Sequence, residues 1–233
     1  MLQSGDRLKQ PEFHCRYLQM PENQKLELVE GRVVMASPVS KPHAVFDLLL
    51  GTLLTVYRSQ TPGTETMANG TVILDGDNEI QPDSCLWILP EFGGQTGLKN
   101  GKYISGAPEW VGEIAYSSAA IDLYEKRSAY ERNGVLEYFV FDIPDQNCHL
   151  FDLRLKQEIV PEPDGILRSN ALPGLWIDTI AFREDDAATA LKALQLGLDS
   201  AEHGGFVDRL TESKRKMWIG EQDLRSVRHA SVE

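Results

Sequence analysis

The sequence predicts a mixed α/β (α+β) domain in which helices flank a central sheet, with an N-terminal β-hairpin and a C-terminal helical extension. Two observations carry this prediction. Strand-like and helix-like apolar patterns alternate along the chain without a regular β-α-β repeat. Hydrophobic residues make up 42% and charged residues 25% of the 233 residues, a mix that can fill a core. By length, one main domain is expected. We place it at residues 25–182, after a lead-in at 1–24 and before a helical extension and tail at 183–233.

The lead-in is polar and punctuated by proline, consistent with an irregular or helical segment. Leu26, Leu28, Val33, Val34 and Met35 flank a Glu-Gly-Arg turn, which predicts a hairpin over residues 26–36. Ser37-Pro38 breaks it. Val45, Phe46, Leu49, Leu50, Leu53, Leu54 and Tyr57 recur at helical spacing, so residues 42–59 read as a helix that ends at Pro62-Gly63. Short strand-like runs follow at 71–74, at Ile80 before Gln81-Pro82-Asp83, and at 85–89. Residues 90–107 are rich in glycine and polar residues and read as a loop. Residues 109–115 read as a strand, and residues 119–132 as a helix stopped by Asn133-Gly134. Residues 136–141 form a β-rich run suited to a buried strand. Residues 149–154 and 158–160 read as a hairpin. A loop with Pro161, Pro163 and Gly165 leads to residues 175–180. From Glu184 the pattern is helical, with Leu191, Leu194 and Leu198 on one face, and residues 206–210 continue it.

The net charge of -12 and a pI near 4.9 argue against a broad basic surface that coats nucleic acid. The tail, residues 211–233, holds five basic and four acidic residues; its single Lys-Arg-Lys cluster is a weak nucleic-acid signal. No apolar run reaches the roughly 18–20 residues of a membrane span, and the N-terminus lacks the apolar stretch of a secretion signal. A cytoplasmic protein with no membrane partner is the expectation. Three cysteines without a C-x-x-C pair, and five scattered histidines, support neither a disulfide framework nor a local zinc motif. Dinucleotide, P-loop and nucleophile-elbow motifs are absent from the sequence.

Several charged residues sit where charge is awkward. Strand alternation puts Glu113 on one face with Val111 and Ala115, where a carboxylate is costly without a partner or metal. Asp83 follows Pro82 at the mouth of the next apolar run. Glu30 ends the first strand before Gly31. Asp122 and Lys126 lie four apart on one helical face. Two carboxylates with substrate phosphate suit Mg²⁺ (or Mn²⁺), and a nearby lysine can orient water and stabilise developing negative charge. Each residue also has a plain structural role open to it. Pro-Asp is a common turn pair, Glu113 can pair with a core arginine, and Asp122 with Lys126 can be an exposed ion pair worth little. Glu30 can serve the hairpin turn.

At these residues the sequence resembles the Uma-two family of restriction-endonuclease-like proteins, within the PD-(D/E)XK nuclease superfamily. The strings are LELVEGRVVMASPVSKPH, IQPDSCLWI, GAPEWVGEIAYSSAAIDLYEKRSAYERNGVLEYFVFD and LPGLWID, in the family's order over about residues 24–180. The resemblance implies a restriction-endonuclease-like core and a metal-dependent endonuclease acting on nucleic acid, with DNA the expected substrate and a homodimer the expected assembly. It implies that Asp83 and Glu113 bind metal. The superfamily's usual lysine lies two residues after the second acid, where this chain has Ala115; the resemblance points instead to Lys126 on the next helix. It matches Glu30 to an upstream acid at the same site. His43, Gln81 and Asp122 are implied as supporting residues. After Glu113 the chain departs from the family's Leu-Ser-Pro-Ser-Thr segment; Ser117 and Ser118 there suit either contact with phosphate or helix capping, with capping the expected role. A non-catalytic nucleic-acid-binding or regulatory protein that keeps the fold is the alternative.

Overall fold

The computed structural model describes residues 1–21, 24–35, 38–116 and 121–230, with side chains described to residue 219. Mixed sheets flanked by helices make the α+β fold expected from sequence, built as two six-stranded sheets and a small two-stranded one rather than about one central sheet. A short helix α1 (Gln10–Tyr17) leads in. The hairpin follows as β1 (Leu26–Val29) and β2 (Arg32–Met35), joined by Glu30 and Gly31 at φ 54° and 68°. Two consecutive left-handed residues make the tight turn whose twist matches the strands. Helix α2 (Lys41–Gln60) is capped by Ser40, whose Oγ accepts from His43 N–H.

The chain then forms β3 (Thr64–Ala68), β4 (Val72–Ile73), β5 (Glu79–Ile80) and β6 (Ser84–Ile88). The segment expected to be a loop instead contains a hairpin, β7 (Gly97–Lys99) and β8 (Tyr103–Ser105). Asn100 and Gly101 at φ 56° and 66° turn it. Asn-Gly between extended residues is a strong short-range hairpin signal, masked here by a polar, glycine-rich composition.

Strand β9 (Trp110–Ala115) is buried throughout. A π-helical turn over Ile121–Lys126 runs into α3 (Arg127–Asn133), which ends at Gly134 with φ 89°. Residues 117–120, which include the start expected for this helix and Ser117 and Ser118, expected to cap it, lie outside the described residues, as do Ala36, which the expected hairpin included, and Ser37, expected to break it. Strands β10 (Glu137–Asp142), β11 (Asn147–Asp152), β12 (Gln157–Ile159), β13 (Ile166–Arg168) and β14 (Trp176–Asp178) follow. Helices α4 (Thr179–Arg183), α5 (Ala187–Leu198) and α6 (Ala201–Ala230) close the chain.

One large sheet has the order β12-β11-β10-β9-β6-β3, and the other β2-β1-β5-β4-β8-β7. In the first, only β9 and β10 pair in parallel; the rest are antiparallel. Alternation along β9 then divides the core. Trp110 and Ile114 face a cluster with Leu50 and Leu53 of α2, Phe182 of α4, Leu194 of α5 and Phe206 of α6. Val111 and Ala115 face a second cluster with Tyr130 of α3 and with Val29, Val72, Ile80 and Ile104 of the other sheet. Glu113 shares this second face by the period of two. Leu26, Leu28 and Val33 turn to the far side of the second sheet and pack on Phe13 of α1. Glu27, between Leu26 and Leu28, therefore points inward between the two sheets. No described helix is long and apolar enough to cross a membrane.

Candidate active site

The β6–β9 ladder sets the site. Ser84 pairs with Gly112, so Asp83 and Glu113 come together one step further on. There the side chains take over from the ladder. Ile114 N–H donates to Asp83 Oδ2 at 2.8 Å, and Asp83 N–H donates to Glu113 Oε2 at 3.3 Å. Both carboxylates are thus fixed by backbone.

The π-helical turn turns both Asp122 and Lys126 inward, and both are buried. Wide turns of this kind recur at functional sites. Lys126 Nζ lies 2.9 Å from Glu113 Oε1, 3.1 Å from Glu27 Oε2 and 3.4 Å from Asp122 Oδ1. One helical turn on, Tyr130 OH donates to Glu113 Oε1 at 3.1 Å. Gln81 N–H donates to Glu27 Oε1 at 2.7 Å, while the Gln81 amide turns away to Tyr17 OH. His43, in the first turn of α2, sits with Nε2 3.2 Å from Asp83 Oδ2. Lys25 reaches to 4.0 Å from Asp83 Oδ1 at the more exposed rim.

Asp83, Glu113, Lys126, Asp122 and His43 therefore converge. Glu30 does not: it occupies the β1–β2 turn, half-exposed, and its carboxylate pairs with Arg132. Glu27, three residues earlier, takes the place expected for it. The physical reason is the strand period: Glu27 projects with Val29 into the inter-sheet core, whereas Glu30 has left the strand. Glu27 carried a legible signal, since it lies between two apolar strand residues as Glu113 does. Asp47 and Tyr130 were also missed; each lies one helical turn from a site residue, His43 and Lys126 respectively.

Charge explains what the arrangement can do. Glu27, Asp83, Glu113 and Asp122 are four buried carboxylates against Lys126 and His43. When all are ionised, negative charge is in excess. Burial pushes the Glu113 carboxyl well above the usual carboxylate range; Lys126 opposes this, and Asp83, Asp122 and Glu27 reinforce it. Burial disfavours the Lys126 ammonium, but Glu113, Glu27 and Asp122 outweigh it and hold its pKa well above the ordinary value. Burial also opposes ionisation of Asp83, yet His43, the Ile114 N–H and Lys126 keep it below the usual range. His43 is raised in turn by its bond to Asp83. Closely spaced carboxylate oxygens with uncompensated negative charge fit a hard divalent cation. Asp83 and Glu113 are the candidate pair to hold one, although both Glu113 oxygens already accept bonds, from Asp83 N–H, Lys126 and Tyr130.

Alongside lies a groove of about 900 Å³ lined by His43, Asp47, Thr52, Arg58, Asn69 and Ser84, among others. It borders the His43 side of the cluster, and neither Glu113 nor Lys126 lines it.

Comparison with known proteins bears on the family and the fold. No curated protein matches the chain. A solved structure of a "putative nuclease belonging to DUF820" from Anabaena variabilis superposes with a TM-score of 0.55 at 16% identity, over 78% of this chain and 96% of that one. That likeness shows a shared fold. Residues 11–181 match the model of Uma2, "Putative restriction endonuclease". A match over that much of the sequence, from α1 into α4, makes the chain a member of the Uma2 family.

Proposed function

We propose that this protein is a divalent-metal-dependent endonuclease that hydrolyses phosphodiester bonds of DNA. The observation that carries this is the buried convergence of Asp83 and Glu113 beside Lys126. Asp83 and Glu113 would hold Mg²⁺ (or Mn²⁺). When bound, such an ion lowers the pKa of a ligated water and stabilises charge on phosphoryl oxygens. The chain's own residues supply the rest. Lys126 is fastened by three carboxylates and stays protonated, so its role is electrostatic and orienting rather than that of a general base. Glu27 and Asp122 are positioning residues that hold its ammonium against Glu113. His43 fixes Asp83 Oδ2, the oxygen that also accepts from the Ile114 N–H. A homodimer would present one such centre to each strand of a duplex; light scattering at high concentration tests that, and a monomer refutes it.

The second reading is a non-catalytic nucleic-acid-binding or regulatory protein that keeps the fold; the net charge of -12, unfavourable to tight nonspecific DNA binding, supports its regulatory form. One experiment separates the two: cleavage of plasmid and single-stranded DNA with Mg²⁺, with Mn²⁺ and with chelator. Metal-dependent cutting is expected from the native chain. Asp83→Asn, Glu113→Gln and Lys126→Ala should each abolish it while circular dichroism stays native. Undiminished cutting by all three variants would remove this site assignment.

A further inference from the structure

We propose that His43, Asp47 and Asp83 form a second cation site, on the groove side of the cluster, that takes a divalent transition-metal ion. This rests on the proposed function only in sharing Asp83 with the Glu113 site.

Three observations carry it. Each of the three residues offers one ligand atom, and these atoms lie within 4.8 Å of one another. The set is therefore assembled without rearranging the backbone. His43 Nδ1 and Asp47 Oδ1 are buried with no hydrogen-bond partner among the described residues. The ring nitrogen against the Asp83 carboxylate is Nε2, at 3.2 Å, and the unpaired Asp47 Oδ1 is the costly atom that calls for a ligand. The third observation is position. His43 and Asp47 line the groove, whereas Glu113 and Lys126 do not. An ion held by His43 and Asp47 would face whatever enters that groove.

Local structure explains why these side chains meet. His43 and Asp47 are four apart on α2, so they share a helical face. That face lies against the start of β6, where Asp83 stands. Asn69 steadies the other oxygen of Asp47 by donating to Oδ2 at 3.3 Å. Two carboxylates and one neutral imidazole balance the charge of a divalent ion. One nitrogen donor among oxygens shifts preference from Mg²⁺ and Ca²⁺ toward Mn²⁺ and later transition metals.

The test is Mn²⁺ binding to the full chain, counted by the loss of the free-ion electron paramagnetic resonance signal. Two ions per chain are expected. His43→Gln and Asp47→Asn should each leave one. Glu113→Gln should also leave one, but the other one. The retained ion should show ¹⁴N electron spin-echo modulation from an imidazole in Glu113→Gln and none in His43→Gln. Circular dichroism checks the fold, and Asp47→Asn, which keeps shape, guards against a variant that fails to fold. A single ion that depends on Glu113 and is indifferent to both His43→Gln and Asp47→Asn overturns the second site and leaves the proposed function standing. A single ion that depends on His43 and Asp47 but not on Glu113 supports the second site and overturns the Asp83–Glu113 reading. No bound Mn²⁺ overturns both.

Discussion

Replacing Lys126 with methionine keeps a long side chain in place but deletes the one buried cation shared by Glu27, Glu113 and Asp122. Breaking a buried ion pair from one side costs about 3–5 kcal/mol, because the remaining charge stays desolvated. Three carboxylates surround this lysine, which argues for the upper end. Proton uptake argues for the lower. Glu113 is already raised by burial, and without Lys126 it loses the group that opposes the rise. It can therefore neutralise itself, and we expect about 3 kcal/mol near pH 7.5 in chelator. For a chain of this length each kcal/mol moves Tm by about 2–4 °C, so Tm should fall by roughly 6–12 °C. The sign of the pH dependence follows from linkage. A carboxyl whose pKa is higher folded than unfolded binds more protons in the folded state across that interval. Stability then falls as pH rises through it. The deficit of Lys126→Met should thus be small at pH 5 and grow toward pH 8. Lys126 itself is charged in both states throughout that range and adds no slope. Chemical denaturation of native and Lys126→Met chains at pH 5, 6, 7 and 8 measures this. A deficit under about 1 kcal/mol at pH 8, or one larger at pH 5, would refute the reasoning.

Other perturbations test other parts of the structure. In Gly112→Ala, the new Cβ would lie 2.8 Å from the Trp110 ring and 2.9 Å from Leu50 Cδ2. Overpacking of this kind costs about 1–3 kcal/mol, and an unchanged denaturation midpoint would show that α2 can withdraw from β9. Buried Glu137 accepts from Ser169 Oγ, Asn170 N–H and Ala171 N–H, and burial raises its pKa despite those bonds. Its stabilising effect relative to Glu137→Gln should therefore shrink as pH rises above about 4.3; a difference that grows would contradict the sign. If the groove carries substrate backbone, Arg58→Gln should lower the slope of log affinity against log salt for DNA by about 0.9, the share of one phosphate contact. An unchanged slope in a fluorescence-anisotropy titration places the DNA elsewhere.

Local interactions made much of this molecule legible before any fold was known. The β1–β2 hairpin, α2, β9 and the end of α3 at Gly134 depend on periodicity and on glycine at positive φ, which are properties of neighbouring residues. The Asn100-Gly101 hairpin was equally local and was missed because glycine and polar residues also mark loops. At the site, Glu113 stood out because it interrupts an apolar strand, and Asp83 because it follows Pro82 at the mouth of one. Lys126 and Asp122 stood out by spacing.

The amino-acid sequence by itself determined which residues are anomalous: carboxylates inside apolar strands, and a lysine one helical turn from an aspartate. The tertiary structure decided which of them meet. Glu27 and Glu30 are only three residues apart, and each borders a hydrophobic run. Glu27 faces Lys126 because the second sheet packs its inner face toward the first, while Glu30 is carried round the turn to Arg132. Asp47 joins His43 and Asp83 for the same kind of reason, since α2 crosses the sheet at the start of β6. Strand and helix periods set only the direction in which a side chain leaves its own element. The packing of sheet on sheet and helix on sheet sets what it finds there.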